Sequence, residues 1–123
     1  MVLVDTSAWI HFLRPKGDSQ VRSRVEGLLK SGLACWCAMV RLELWNGAQG
    51  DHEKKVLREM EKHLPDLPVT VEVWEAACAL ARKARLRGVT VPNTDLLIAA
   101  CAQHHEVSLE HADEDYEQLA TLT

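Results

Sequence analysis

The sequence lacks several features that mark specialised classes of protein. No apolar run approaches the ~20 residues needed to span a membrane, and no low-complexity tract or flexible linker interrupts the 123 residues. The chain does not open with a basic segment followed by an apolar stretch, which is the pattern of a secretion signal. There is also no glycine-rich phosphate-binding loop. We therefore expect a cytoplasmic globular protein without a membrane segment.

Cysteine is too sparse and too irregularly spaced to form a structural framework. The four cysteines are Cys35, Cys37, Cys78 and Cys101. Their spacing fits neither a secreted disulfide scaffold nor a zinc site. Two of them lie inside apolar helical patterns, so we expect buried free thiols in a reducing compartment.

Basic residues are also fewer than acidic residues. The chain has 14 lysines and arginines against 18 acidic residues, which gives a formal net charge of −4. A protein that grips nucleic acid through its whole surface is normally basic, so the balance disfavours a pure nucleic-acid-binding module. It is compatible with an enzyme that concentrates acidic residues to hold a cation. The length predicts one domain over residues 1–123.

The hydrophobic pattern alternates between short apolar runs and helical periods. Strands are predicted at Val2–Val4, at residues 33–39 and at residues 106–109, each followed or preceded by a helical pattern. Residues 95–103 are apolar nearly all round, which is typical of a buried helix. Strands that alternate with helices predict an α/β fold with a parallel sheet.

Four acidic residues follow strands or open helices at equivalent places. Asp5 ends the first strand, Glu43 follows the second, Asp95 opens the buried helix, and Asp113 comes just after the last strand. The carboxyl ends of parallel strands meet at one edge of a sheet, where ligands bind. The sequence therefore predicts that these carboxylates converge.

Converging carboxylates need a cation or a proton. Two like charges about 4 Å apart repel by about 4 kcal/mol at an effective dielectric near 20. Oxygen ligands favour Mg²⁺ or Mn²⁺, ions that support hydrolysis of phosphodiesters. Any one acid could instead be a helix cap or a partner of the helix dipole. Asp5 and Asp95 are the hardest to explain that way, because one terminates an apolar strand and the other introduces a buried helix.

Four sequence motifs occur in order along the chain. They are VLVDTSAWI at residues 2–10, RLELWNGA at 41–48, PNTDLLIAACA at 92–102 and HADEDYEQLA at 111–120. Together they resemble the motifs of PIN domains, particularly the VapC-type toxins of toxin–antitoxin pairs. Each motif is weak alone, but the ordered set is specific and spans nearly the whole chain.

This resemblance implies a three-layer α/β fold with a short parallel sheet of four or five strands flanked by helices. It implies Mg²⁺- or Mn²⁺-dependent cleavage of RNA, a homodimer, and inhibition by a small VapB-type antitoxin. It assigns metal binding and catalysis to four acids, namely Asp5, Glu43, Asp95 and Asp113. Asp115 would be an auxiliary acid, and the hydroxyl of Thr6 or Ser7 would orient the attacking water.

The fourth motif leaves one assignment open. Glu110, Asp113 and Asp115 are all close to it in sequence, and any of them could approach the metal. Tyr116 stands where phenylalanine is common in the family, a replacement that we expect to be neutral.

Other functions fit the sequence less well. Phosphatases of the haloacid dehalogenase type need Asp-x-Asp after the first strand, but Thr6 and Ser7 follow Asp5. Receiver domains need an early acidic pair and a late lysine, and neither is present. The remaining alternative is a catalytically silent PIN-like scaffold that binds RNA or a protein. Such scaffolds usually lose one or more acids, whereas all four are present here.

Overall fold

A parallel sheet of three short strands lies at the centre of the computed structural model, which describes residues 1–122. β1 (Val2–Val4) is the middle strand, with β2 (Ala34–Cys35) on one side and β3 (Ser108–Glu110) on the other. Leu3 pairs with Cys35 and with Leu109. Leu3 and Val4 are fully buried, as expected for a parallel strand that is covered on both faces.

Helices occupy most of the remaining described chain. They are α1 (Thr6–Leu13), α2 (Ser19–Lys30), α3 (Ala38–Asn46), α4 (Gly50–His63), α5 (Val71–Leu86), α6 (Asn93–His104) and α7 (Glu114–Ala120). Several begin at a side-chain cap. Asp18 caps α2 by accepting hydrogen bonds from the backbone N–H groups of Gln20 and Val21, and Thr70 caps α5 by accepting one from the backbone N–H of Val73. The predicted α/β architecture, a parallel sheet flanked by helices, is confirmed.

α6 is the central helix of the fold. Every residue from 95 to 102 is buried, and the helix packs against α5, α3, α7 and β3. Because these neighbours surround α6, every face of the helix is buried, which explains why its residues are apolar on all sides. Because Asp95 lies in the first turn of this helix, the fold carries a carboxylate into the interior near the end of the sheet.

The predicted strand count is too high. Within residues 1–122 the sheet has three strands instead of four or five, and the strand predicted at residues 33–39 is only Ala34–Cys35, since α3 already begins at Ala38. A further segment does run beside β2, where Trp36 forms a single bridge with Asp66. Pro65 and Pro68 flank that segment and lack the N–H groups that would extend the pairing.

The expectation of buried free thiols is met in part. All four cysteines are free, and Cys35, Cys37 and Cys101 are buried, but Cys78 is exposed. Ala77 lies on the buried face of α5. Cys78 follows it directly and is rotated by about 100° around the helix, which turns it away from that face. None of the helices in the described chain is both long and apolar enough to cross a membrane.

Candidate active site

Asp5 lies directly after β1 and caps α1. Its side chain is 3% exposed, and its Oδ2 accepts hydrogen bonds from the backbone N–H of Ser7 at 3.0 Å and from the Ser7 hydroxyl at 2.6 Å. Its Oδ1 accepts a hydrogen bond from the Tyr116 hydroxyl at 2.6 Å. These contacts fix both carboxylate oxygens and satisfy a polar group that would otherwise be costly to bury.

Glu43, from α3, faces the start of α1. The Thr6 hydroxyl donates to its Oε1 at 2.8 Å. Burial raises the pKa of Glu43, the nearby charge of Asp5 raises it further, and the hydrogen bond from Thr6 opposes this shift. The second motif therefore lies beside the first, as the ordered motifs predict.

Asp95 is the least satisfied acid of the group. It is 8% exposed, its Oδ1 lies 3.4 Å from the Tyr116 hydroxyl oxygen, and its buried Oδ2 has no hydrogen-bond partner. Burial raises the pKa of Asp95 to about 7, assisted by its contact with Asp115 and by the charges of Asp5 and Asp113. A buried carboxylate oxygen without a partner is unfavourable, so the position favours either a proton or a cation.

Asp113 and Asp115, at the start of α7, form a cluster with Asp95. Asp113 caps this helix and accepts a hydrogen bond from the backbone N–H of Asp115 at 2.9 Å. One oxygen from each of Asp95, Asp113 and Asp115 lies within 4.8 Å of the other two. Carboxylates at such spacing can share a divalent cation. The structure thus offers an oxygen-rich candidate metal centre at the carboxyl end of the sheet.

Glu110 takes no part in this cluster. Although it ends β3 beside the fourth motif, its carboxylate forms an ion pair with Arg24 at 3.2 Å. Of the three acids that the sequence left open, Asp113 and Asp115 are therefore the ones grouped with Asp95.

The hydroxyls of Thr6 and Ser7 both hold acids of the site. Thr6 donates to Glu43, and Ser7 donates to Asp5 while accepting a hydrogen bond from the backbone N–H of Ala112 at 2.9 Å. Ser7 thereby ties the start of α1 to the loop before α7. The role in orienting water that the family resemblance implies for these hydroxyls stays a prediction.

Tyr116, which the sequence analysis treated only as a neutral replacement of phenylalanine, contacts the acids of the site through its hydroxyl. Its side chain is 4% exposed, and its hydroxyl contacts acids from two different elements. Burial and the surrounding carboxylates raise the pKa of Tyr116, so the phenol keeps its proton and acts as a donor. The only signal in the sequence was an aromatic residue directly after an acidic pair, which does not reveal where the hydroxyl points.

Comparison with known proteins assigns the chain to a family. The family model for the PIN domain matches residues 2–122. The chain belongs to the PIN domain family. A curated PIN relative, the VapC ribonuclease Mb1587 of Mycobacterium bovis, is 35% identical over 127 residues, which cover 100% of this chain and 94% of that protein. The family resemblance inferred from the four motifs is confirmed.

Solved structures show the same PIN fold. FitAcB from Neisseria gonorrhoeae superposes with a TM-score of 0.77 at 21% identity, covering 98% of this chain and 94% of that one. VapBC-5 from Mycobacterium tuberculosis, a member of the VapBC family of toxin–antitoxin systems, gives a TM-score of 0.68 at 19% identity and covers 95% of this chain and 88% of that one. At these identities the likeness concerns the fold.

Proposed function

We propose that this PIN-domain protein is a metal-dependent endoribonuclease and the toxin of a type II toxin–antitoxin module. The observation that carries the proposal is the group of carboxylate oxygens from Asp95, Asp113 and Asp115, within which Asp95 leaves a buried oxygen without a partner. The ribonuclease name of the relative from Mycobacterium bovis supports RNA as the substrate.

The residues present fit a divalent cation. No lysine, arginine or histidine in residues 1–122 forms an ion pair with Asp5, Glu43, Asp95 or Asp113. The negative charge of these four acids is therefore balanced by cations from solution. All of the donors are hard oxygens, which suit Mg²⁺ or Mn²⁺ better than zinc. We assign these four acids as ligands and catalytic groups, with Asp115 as an auxiliary acid.

The side chains prepare the site for in-line attack on a phosphodiester. When bound, a divalent cation supplies Lewis-acid activation of water and offsets the charge of the phosphate. Ser7 fixes Asp5, and Thr6 fixes Oε1 of Glu43. This leaves Oε2 of Glu43 to contact the cation or to accept a proton from the attacking water.

A groove lined by two arginines supports binding of an RNA backbone. A cavity of about 370 Å³ between the end of α5 and the start of α6 is lined by Arg82, Arg85 and Asn93. Neither arginine forms an ion pair within the described chain. Asn93 is the first residue of α6, and Asp95 lies in the first turn of the same helix. Positive charge here would contact phosphates of the RNA backbone.

The proposal includes partners and a location. As expected for a VapC-type toxin, we assign a small VapB-type antitoxin as the inhibitor, a homodimer as the assembly, and the cytoplasm as the compartment. The structural likeness to VapBC-5, from a toxin–antitoxin system, supports the antitoxin. Exposed apolar side chains on α3 and α5, including Leu42 and Trp74, offer a surface for the contact between subunits.

An RNA cleavage assay tests the proposed activity. The purified protein should cut RNA in the presence of Mn²⁺, and both EDTA and the substitution Asp5→Asn should abolish cleavage. A matched control is Asp51→Asn, which changes an exposed acid in the first turn of α4. Cleavage that persists in EDTA or survives Asp5→Asn would refute the proposal. RNA binding without any cleavage would favour the silent scaffold.

A further inference from the structure

The Tyr116 hydroxyl joins two acids that are far apart in the sequence. It donates a hydrogen bond to Oδ1 of Asp5 at 2.6 Å, and its oxygen lies 3.4 Å from Oδ1 of Asp95. Asp5 belongs to the end of β1, Asp95 to the first turn of α6, and Tyr116 to α7. One phenol thus connects the end of β1, the first turn of α6 and α7.

The hydroxyl completes the immobilisation of Asp5. Ser7 holds Oδ2 with its backbone N–H and its hydroxyl, while Tyr116 holds Oδ1. With both oxygens anchored, the carboxylate cannot rotate without breaking short hydrogen bonds to a charged acceptor. Each carboxylate oxygen also retains accepting capacity that these donors do not use.

We propose that Tyr116 is a positioning residue of the metal centre, whose hydroxyl holds Asp5 in the orientation that binds a cation together with Asp95. The inference rests on the proposed function, since it presupposes that these acids bind metal. The hydroxyl donates to Asp5, and a phenylalanine at position 116 would not provide this hydrogen bond. Groups that orient metal ligands typically change metal affinity 10- to 100-fold when they are removed.

A purely structural role for Tyr116 makes a different prediction. The ring is buried and lies 5.1 Å, centroid to centroid, from the ring of His111. If only this packing mattered, Tyr116→Phe would preserve it and leave metal binding unchanged. The substitution removes the hydroxyl alone, so it separates the two roles.

The test measures the Mn²⁺ affinity of the 123-residue chain by calorimetry, well below the melting temperature. We expect Tyr116→Phe to raise the Kd for Mn²⁺ about 10-fold. The matched control is Thr121→Val, which removes another hydroxyl near the end of the chain, one that donates to the backbone carbonyl of Gln118. The control should bind Mn²⁺ as the unmodified protein does. Circular dichroism verifies that both variants are folded.

The RNA cleavage rate provides a second readout. In Tyr116→Phe the Mn²⁺ concentration for half-maximal cleavage should rise by the same factor, while the rate at saturating Mn²⁺ stays within about twofold. An unchanged Kd in the folded variant would overturn the inference. So would a rate at saturating Mn²⁺ that falls to the level of Asp5→Asn, because the hydroxyl would then do more than position a ligand.

The outcomes of this experiment distinguish a failure of the inference from a failure of the proposed function. If the unmodified protein binds Mn²⁺ but cuts no RNA, the ribonuclease proposal fails, and the Kd ratio still decides the role of Tyr116. If the unmodified protein binds no Mn²⁺, both fail. If it binds Mn²⁺ and cuts RNA with no effect of Tyr116→Phe, only the inference fails.

Discussion

Replacing Asp95 with asparagine should stabilise the protein in the absence of metal. Asp95 is buried among other acids, and burial with that repulsion raises its pKa from 3.8 to about 7. Asparagine has nearly the same shape but carries no charge, and its amide can donate to the oxygens of Asp113 and Asp115. The substitution therefore removes an unfavourable charge at the same place where it removes a metal ligand.

The size of the effect follows from the shift in pKa. One pKa unit corresponds to about 1.4 kcal/mol, so a rise from 3.8 to about 7 destabilises the ionised folded protein by about 4 kcal/mol. Because water screens part of the open site, we expect roughly half of this, about 2 kcal/mol. A domain of this size gains roughly 4 °C in melting temperature per kcal/mol. Asp95→Asn should thus melt about 8 °C higher at pH 8 in EDTA.

The sign of the pH dependence gives an independent check. Between pH 4 and pH 7 the folded protein keeps the proton on Asp95, whereas the unfolded chain has lost it. The stability of the unmodified protein therefore falls as the pH rises through this range and levels off above pH 7. The advantage of Asp95→Asn should shrink by more than half between pH 8 and pH 5.

Thermal melts in EDTA at pH 8, 7, 6 and 5 measure this difference. Asp51→Asn is the control, since this exposed acid lies away from the cluster and should change the melting temperature little at any pH. Saturating Mn²⁺ should reverse the order, because it stabilises the protein that binds it. An Asp95→Asn variant that is no more stable at pH 8, or equally favoured at pH 8 and pH 5, would refute the electrostatic reasoning.

Two further substitutions test individual contacts. Ser7→Ala removes the 2.6 Å hydrogen bond to Asp5. Urea denaturation should show that the free energy of unfolding falls by about 2 kcal/mol, as for hydrogen bonds to charged groups. A fall below about 0.5 kcal/mol, the range of ordinary surface changes, would show that the contact is unimportant. Arg85→Gln should raise the KM for RNA in steady-state cleavage with little change in kcat, and the effect should diminish at high salt. Lys54→Gln on α4 is its control, and a fall in kcat at unchanged KM would contradict the assignment of the groove.

Much of the site could be predicted from local sequence because its acids occupy positions defined by local structure. Asp5 ends an apolar strand and caps the helix that follows, and Asp95 opens a helix with apolar residues on every side. Both features are visible within about ten residues of sequence. Parallel strands then bring such positions to one edge of the sheet.

The contacts that sequence reasoning missed are those between distant parts of the chain. The bond from Tyr116 to Asp5 joins residues 111 positions apart, and the pairing of Glu110 with Arg24 joins residues 86 apart. Nothing in the local pattern of the fourth motif distinguishes Glu110 from Asp113, because the choice depends on where α2 presents an arginine. The four or five strands were implied by the family resemblance, whereas the apolar pattern itself predicted the three strands that the described chain forms. That pattern overestimated only the length of β2, because the apolar residues after it continue into α3.

The most direct test of the central claim is to locate Mn²⁺ in crystals of the protein by anomalous diffraction. We expect a strong anomalous peak between the carboxylates of Asp95, Asp113 and Asp115, with Asp5 on the adjoining side, and its loss in Asp95→Asn crystals. A peak elsewhere on the protein, or none at millimolar Mn²⁺, would contradict the claim that these acids form one cation site.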